Sequence, residues 1–308
     1  MRLFQTPLSD KVSPFSLEYT LSCGQVFRWE KINNYWYGVV EGTVIILKQD
    51  FDRLFFETFP ERRGIEFIRR YLRLDDDLTE IVSTIDKDRT IRRALKALYG
   101  LRITRQDPWE CLVSYICATF SNILRIKGMI LNLSRKFGSK ISYDGKTFYT
   151  FPCVQALANA ALSDLSDCGL GFRAKYVRET SGIIKDKKVN FDDLGRLTYR
   201  EAKRQLITLP GVGHKVADCI LLFSLEKLEA FPVDIWIKRI VSKYYKQNCS
   251  DSKLLREKGQ PTDQYARIRE FGRTYFGEYA GYAQEYLYHY YRLHNTQIRN
   301  TMQNMQLS

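Results

Sequence analysis

Two residues in one stretch of this sequence carry the chemistry it is equipped to do. From Leu206 to Arg239 the chain reads LITLPGVGHKVADCILLFSLEKLEAFPVDIWIKR. It holds Lys215 at the start of an apolar helical pattern and Asp234 in a segment that is otherwise apolar or aromatic. A lysine in the first turn of a helix faces the positive end of the macrodipole, which disfavours an ammonium ion and favours the neutral amine. A neutral amine attacks a carbon bearing a leaving group and leaves a Schiff base. Taken by itself, Lys215 is better read as a phosphate contact. Asp234 shifts the balance, because a carboxylate placed after Phe231, Pro232 and Val233 is costly without a partner. It can cap the helix that follows, and it can also stabilise a sugar cation and hold the attacking amine.

The elements that must position this pair are a helical hairpin and its supports. Leu209-Pro210-Gly211-Val212-Gly213 joins two helical patterns, and Gly211 and Gly213 permit a tight turn that side chains would obstruct. The N–H groups opening the second helix, near His214, form a nest for a phosphate, while Val212 packs the two helices together. Such a hairpin grips a nucleic-acid backbone without reading sequence. Thr198…Glu201 is a capping box for the first helix, and Asp107-Pro108 with Glu110 opens another, apolar one over Cys111–Cys117. Upstream, Gln25–Lys31, Tyr35–Val40 and Thr43–Lys48 read as strands, with turns at Asn33-Asn34 and Glu41-Gly42, followed by a helix over Glu61–Leu72. Residues 244–262 read as a polar surface loop and 296–308 as a loose tail. The expected fold is α+β: an N-terminal mixed domain (1–104) with a twisted antiparallel sheet, then an all-helical region (105–295) containing the hairpin, then the polar tail.

Lys plus Arg number 48 against 35 acids, a net charge of +13 with a pI near 9.3, which suits a polyanion partner. No apolar run reaches the length of a spanning helix, and the N-terminus has no signal-peptide core, so no membrane partner and a cytoplasmic, nucleoid-associated location are expected. Seven scattered cysteines without a C-x-x-C read as reduced thiols, and three histidines make a His-rich metal centre improbable.

The Gly-rich hairpin, the lysine and a Pro-Val-Asp ending nineteen residues beyond it (234 minus 215) resemble the helix–hairpin–helix DNA glycosylase superfamily. SCGQVFRW (22–29), RQDPWECLVSYIC (105–117), GLGFRAKYV (169–177), LPGVGHKVADC (209–219) and YAGYAQEYLY (279–288) extend the resemblance to the 8-oxoguanine DNA glycosylases, from about Ser16 to about Leu293. The resemblance implies excision of a flipped 8-oxoguanine from duplex DNA, with AP lyase activity, by a monomer. Lys215 is then the nucleophile and Asp234 its supporting carboxylate. Gly24 offers a carbonyl to N7–H, the hydrogen that separates the lesion from guanine. Cys219 and Tyr288 sandwich the base, Tyr288 standing where the family has Phe, and Gln284 reads its Watson–Crick edge. Phe172 wedges the stack, and Arg173 and Arg125 contact the orphaned cytosine. Gly211, Val212, Gly213 and Trp236 face the DNA backbone.

The chain departs from the family pattern at two of these places. Phe120 replaces an asparagine that contacts the orphaned cytosine, which predicts weaker discrimination of the opposite base. Trp236 replaces a histidine and puts one phosphate contact in doubt. The resemblance further implies a cation held by backbone carbonyls of Ile207, Leu209 and Val212, with no cofactor required. An oxidised-pyrimidine endonuclease of the same superfamily commonly carries a C-terminal iron–sulfur cluster, yet no cysteine follows Cys249. An alkyladenine-type glycosylase works without the hairpin lysine. A non-catalytic DNA-binding module would need neither Lys215 nor Asp234.

Overall fold

The computed structural model describes residues 4–7, 14–60, 63–251 and 264–306. Strands β1 (Phe4–Pro7), β2 (Trp29–Ile32), β3 (Tyr35–Val40), β4 (Thr43–Asp50) and β5 (Arg53–Phe59) form one antiparallel sheet in the order β1-β5-β4-β3-β2. Its tight turns fall where expected: Asn33, Glu41 and Gly42 all take positive φ, as two-residue hairpin loops require. The sheet packs Trp36, Ile45, Leu47 and Phe56 against α1 (Leu17–Ser22) and α2 (Ile65–Tyr71), with the Trp29 indole N–H donating to Tyr71 Oη at 2.7 Å. Helix α2 begins later than the expected Glu61, after cis-Pro60 and the Gly64 N-cap.

The strand expected over Gln25–Lys31 begins only at Trp29. The reason lies in Gln25, whose side chain is buried and bonded inward. Its Nε2 donates to the carbonyls of Thr20 (2.9 Å) and Arg102 (2.8 Å), and its Oε1 accepts from Thr104 N (2.9 Å). A residue so committed holds its segment, Cys23–Gln25, in a fixed loop instead of a ladder.

The second core is helical. It takes in α3 (Leu78–Ile85), α4 (Arg89–Ala97), α5 (Pro108–Cys117), α6 (Ile123–Phe137), α7 (Val154–Ala158), α8 (Leu162–Asp167), α9 (Arg173–Lys185), α10 (Phe191–Arg196), α11 (Tyr199–Leu206), α12 (His214–Ser224) and α13 (Ile235–Tyr244). Beyond α14 (Lys246–Asp251), α15 (Gln264–Phe276) and α16 (Ala280–Gln306) complete it. Although α3 and α4 precede residue 105, they pack into this core against α16.

Asp107 caps α5 by accepting from Glu110 N at 2.8 Å, with Pro108 in the first turn. Glu110 does not close a capping box. Its carboxylate pairs with Arg28 at 2.9 Å and ties α5 to the loop after α1. Thr198 and Glu201 do form the expected box.

Three expectations for the C-terminal part change. The region is not all-helical: β6 (Lys140–Tyr143) and β7 (Lys146–Tyr149) form a hairpin around Asp144-Gly145, both with positive φ, the turn chemistry that a D-G pair supplies. The stretch 244–262 is not all loop, since α14 occupies part of it; residues 252–263 lie outside the described residues. Finally, 296–308 is no loose tail as far as Gln306, because α16 runs to that residue. Its sequence has neither Gly nor Pro after Gly281 to stop it. Among the described residues no helix is long and apolar enough to cross a membrane.

Candidate active site

The glycine turn between α11 and α12 has the geometry its composition asks for. Gly211 takes φ +80°, and a Cβ there would stand 2.8 Å from Tyr176 Cβ, so glycine is required both for the backbone angle and for the close approach of α9. Thr180 of α9 donates to the Pro210 carbonyl at 2.8 Å. Val212 is buried between the helices, and Val212 N donates to Leu209 O at 3.0 Å. Gly213, the N-cap of α12, has no side chain to bond the first turn, and the positive end of the helix lies here.

Lys215 lies in that first turn, half-buried, with Nζ 5.0 Å from the centre of the buried Tyr115 ring. Among the described residues it makes no ion pair or hydrogen bond. Cation–π contact is its only strong local interaction, and that leaves the amine free to move and react. Asp234 caps α13 by accepting from Ile237 N at 2.8 Å. Burial pushes its carboxyl above the ordinary value, against the opposing pull of that N–H and of the Lys215 charge. Both roles weighed for Asp234 in the sequence are therefore open to it at once.

Lys215 and Asp234 share the wall of one cavity of about 970 Å³, set between the helical core and the Cys23–Gln25 loop. Gly24, Cys219, Gln284, Tyr288, Phe120, Gly211, Gly213 and Trp236 line the same cavity. Cys219 is buried, and burial pushes its thiol up to about 12, so it presents a neutral, polarisable face. Tyr288 accepts at its hydroxyl from Arg292 Nη1 (3.3 Å), and burial pushes its phenol up to about 12 as well. Gln284 is buried, and among the described residues its Oε1 has no hydrogen-bond partner. Gly24 sits at φ +106°, a backbone conformation that favours glycine, with Arg292 Nη1 2.8 Å and Ile123 Cδ1 3.1 Å from where a Cβ would stand.

Val212, Arg125, Phe172 and Arg173 lie outside the cavity lining. Phe172 is 55% exposed at the start of α9, an apolar ring in water of the kind that enters a base stack. Arg125 is exposed on α6. Arg173 is only 9% exposed, and its guanidinium is already engaged: Nε donates to Thr119 O at 2.9 Å and Nη2 to Phe120 O at 3.2 Å. It thereby braces the loop that carries Phe120, which is 92% exposed at φ +50° at the mouth of the cavity. Trp236 stands beside Arg239, 5.5 Å from its ring centre.

Three lining residues escaped the reading of the sequence. Tyr115 belongs to an apolar run read as core, and nothing in its neighbours marks it as the platform under Lys215. Asp218 is fully buried one turn after Lys215, bonded to Lys203 Nζ (2.5 Å) and Tyr199 Oη (2.6 Å); burial lowers Lys203 to about 8. Glu285, next to Gln284, is 3% exposed. Burial pushes its carboxyl up to about 7, offset in part by a hydrogen bond with Cys23 and by the Arg292 charge. A charge inside the aromatic C-terminal stretch was the available signal for Glu285.

Known proteins resemble this chain over most of its length. Residues 8–112 match the 8-oxoguanine DNA glycosylase N-terminal domain, and residues 113–261 match the HhH-GPD superfamily of base excision DNA repair proteins. The chain is 32% identical over 254 residues to a probable N-glycosylase/DNA lyase of Methanothermobacter thermautotrophicus, covering 76% of each chain. It is 31% identical over 294 residues to an N-glycosylase/DNA lyase of Arabidopsis thaliana, covering 92% of this chain and 79% of the relative. The solved 8-oxoguanine glycosylase/lyase of Clostridium acetobutylicum, in complex with double-stranded DNA containing cytosine opposite 8-oxoG, superposes with a TM-score of 0.83. That match has 32% identity and covers 96% of this chain and 99% of the other.

Proposed function

The chain belongs to the HhH-GPD superfamily of base excision DNA repair proteins, with an N-terminal domain of the 8-oxoguanine DNA glycosylase type, and from that membership we propose that it is a bifunctional DNA glycosylase and AP lyase that excises 8-oxoguanine. One observation carries the reading. Among the described residues an unpaired amine at the N-terminus of the second hairpin helix, a buried carboxyl and an unpartnered amide oxygen share one cavity roomy enough for a flipped base, beside a helix end suited to phosphate.

A base inside a duplex is out of reach, so it is extruded. Phe172 enters the stack as it leaves, and the hairpin holds the backbone through Gly211, Val212 and Gly213 with Trp236 alongside. The base slots between Cys219 and Tyr288, where Gly24 and Gln284 test its edges. Lys215 then attacks C1′. The new C–N bond forms as the C1′–N9 bond breaks, and the base departs with that electron pair and takes up a proton. Asp234 stabilises the sugar cation that develops on the way. Opening of the sugar ring gives a protonated imine. Loss of a C2′ proton then expels the 3′ phosphate by β-elimination.

Phe120 supplies no hydrogen bonds to the base opposite the lesion, so preference for cytosine is weaker than an asparagine there would give, and Arg125 and Arg173 are left as the polar contacts. At the hairpin, among the described residues the carbonyls of Ile207 and Val212 accept no backbone N–H and Leu209 O accepts one, which leaves them available to a cation. No other cofactor is needed for the steps above. The protein acts as a monomer on duplex DNA in the cytoplasm.

Borohydride trapping on a duplex with a single 8-oxoguanine tests the reading. Wild type is expected to give a covalent adduct, and Lys215→Gln none, while still binding the duplex. Base release without an adduct would mean a monofunctional enzyme. Neither release nor adduct would move the substrate to another lesion, and excision by Lys215→Gln at near wild-type rate would refute the nucleophile.

A further inference from the structure

We propose that Arg292 is a positioning residue for lesion recognition, whose guanidinium locks the Gly24 loop and the Tyr288 wall into one unit; this rests on the base-excision reading above. Arg292 lies one turn beyond Tyr288 on α16 and borders the cavity. Its Nη2 donates to the carbonyl of Ser22, two residues before Gly24, at 2.9 Å. Its Nη1 donates to Tyr288 Oη at 3.3 Å, and the same nitrogen stands 2.8 Å from where a Cβ of Gly24 would be. One side chain thus touches both the loop that offers a carbonyl to the base edge and the ring that stacks on the base.

The guanidinium is itself held in place. His289 is 1% exposed, and burial, aided by the Arg292 charge, lowers its imidazole to about 4. The ring is therefore neutral at neutral pH. An arginine can only donate, so the 3.1 Å contact of Nη2 with His289 Nδ1 makes that nitrogen the acceptor and puts the ring proton on Nε2. With Nη2 engaged by Ser22 O and by His289, the planar fork fixes the direction in which Nη1 points, toward Tyr288.

Glycine has no side chain to anchor it, so the Gly24 carbonyl is aimed by its neighbours. Gln25 holds it from one side through Thr20, Arg102 and Thr104. Ser22, bonded to Arg292, holds it from the other. The Arg292 clamp runs on to the wall against which the base stacks, so edge contact and stacking face keep a set separation. Without it, each moves independently of the other, and a misplacement of about 1 Å costs up to about a hundredfold in rate. Attack by Lys215 on a sugar that carries no base needs neither of them. The Tyr288 hydroxyl takes part only through Arg292, so its worth is conditional on that residue.

A double-mutant cycle of Arg292→Met and Tyr288→Phe tests the clamp. The readouts are single-turnover excision of 8-oxoguanine, cleavage of a preformed abasic site, and binding of duplexes carrying guanine or a 2′-fluoro-8-oxodeoxyguanosine, whose fluorine resists excision. Arg292→Met is expected to slow excision and to lower the preference for lesion over guanine, each by about tenfold or more, while abasic-site cleavage slows by less than about threefold. Tyr288→Phe is expected to slow excision by about threefold where Arg292 is present, and to add nothing in the Arg292→Met background. Arg292→Lys, with one nitrogen in place of the fork, is expected to recover part of the loss. It takes the place of Arg292→Met in the cycle should circular dichroism show that variant to be poorly folded. Costs that multiply in the double variant, or abasic-site cleavage falling in step with excision, would overturn the proposal and leave Arg292 a support of the fold. Absence of any excision or lesion preference in wild type would instead overturn the base-excision reading on which it stands.

Discussion

Asp234 caps α13 and, in the proposed mechanism, also supports the sugar cation, and substitutions separate the two roles. Asparagine is as good an N-cap as aspartate, so Asp234→Asn should keep the bond from Ile237 N and leave stability within about 0.5 kcal/mol of wild type. Having lost its charge, the same variant should slow base excision by at least about a hundredfold. Asp234→Ala should be as slow and also lose about 1 kcal/mol of stability with the cap. Single-turnover excision and urea unfolding measure the two effects. Excision by Asp234→Asn within tenfold of wild type would leave the residue a cap only. At this scale the sequence was legible wherever a residue broke the rule of its surroundings. Lys215 stood at the wrong end of a helix, Asp234 in an apolar segment, and the two hairpin glycines between helices. Tyr115 broke no rule, because an aromatic in an apolar helix is ordinary core, and its place under the Lys215 amine depends on how α5 and α12 cross. Glu285 did break one, but the aromatic stretch around it reads as a core helix and hid the exception. The sequence offered Arg173 for the opposite base, and the approach of the Thr119–Phe120 loop adds a role it could not show, since the guanidinium also holds that loop.

The hairpin is the element whose local geometry matters most to the chemistry. Gly211 combines a left-handed backbone with a 2.8 Å approach of any Cβ to Tyr176, so Gly211→Ala must move either the turn or α9. A loss of about 2 kcal/mol or more in stability is expected from strain and displaced packing together. Affinity for undamaged duplex DNA should fall as well, since the α12 N-terminus is re-aimed, and fluorescence anisotropy would measure it. Unchanged DNA affinity in a folded Gly211→Ala would argue that the turn does not touch phosphate. Elements were legible where punctuation was strong, as in the β3–β4 turn and at the Asp107 and Thr198 caps. They were misread where composition competed with pattern. Polar residues around Lys246 and after Asn295 suggested loop and tail, yet neither helical stretch contains the Gly or Pro that would stop it. The β6–β7 hairpin was overlooked although Asp144-Gly145 lies between alternating residues, because the flanking segments are helical.

At the scale of the whole molecule, the net charge of +13 brings the chain to DNA, and the seam between its two cores makes a reaction site out of it. The Cys23–Gln25 loop comes from the sheet side and Lys215 from the helical side. Gln25 joins them. Its side chain ties the loop to Thr20, Arg102 and Thr104, and its carbonyl accepts from Gln106 Nε2 at 2.9 Å and from Tyr115 Oη at 3.2 Å. The Tyr115 ring in turn carries the Lys215 amine. Gln25→Ala would remove three buried hydrogen bonds, to Thr20 O, Arg102 O and from Thr104 N, which should cost about 2–4 kcal/mol. Its effect on function should be uneven. Excision of 8-oxoguanine needs Gly24 against the base, and a slack loop should lower it by about tenfold or more. Cleavage at a preformed abasic site needs Lys215 but no base reading, and should fall much less. Both rates can be measured on one preparation at a temperature where circular dichroism shows the variant folded. A parallel fall in the two would mean that Gln25 supports the fold without positioning the reader, and that the two sides of the cavity are aligned by other contacts along the seam.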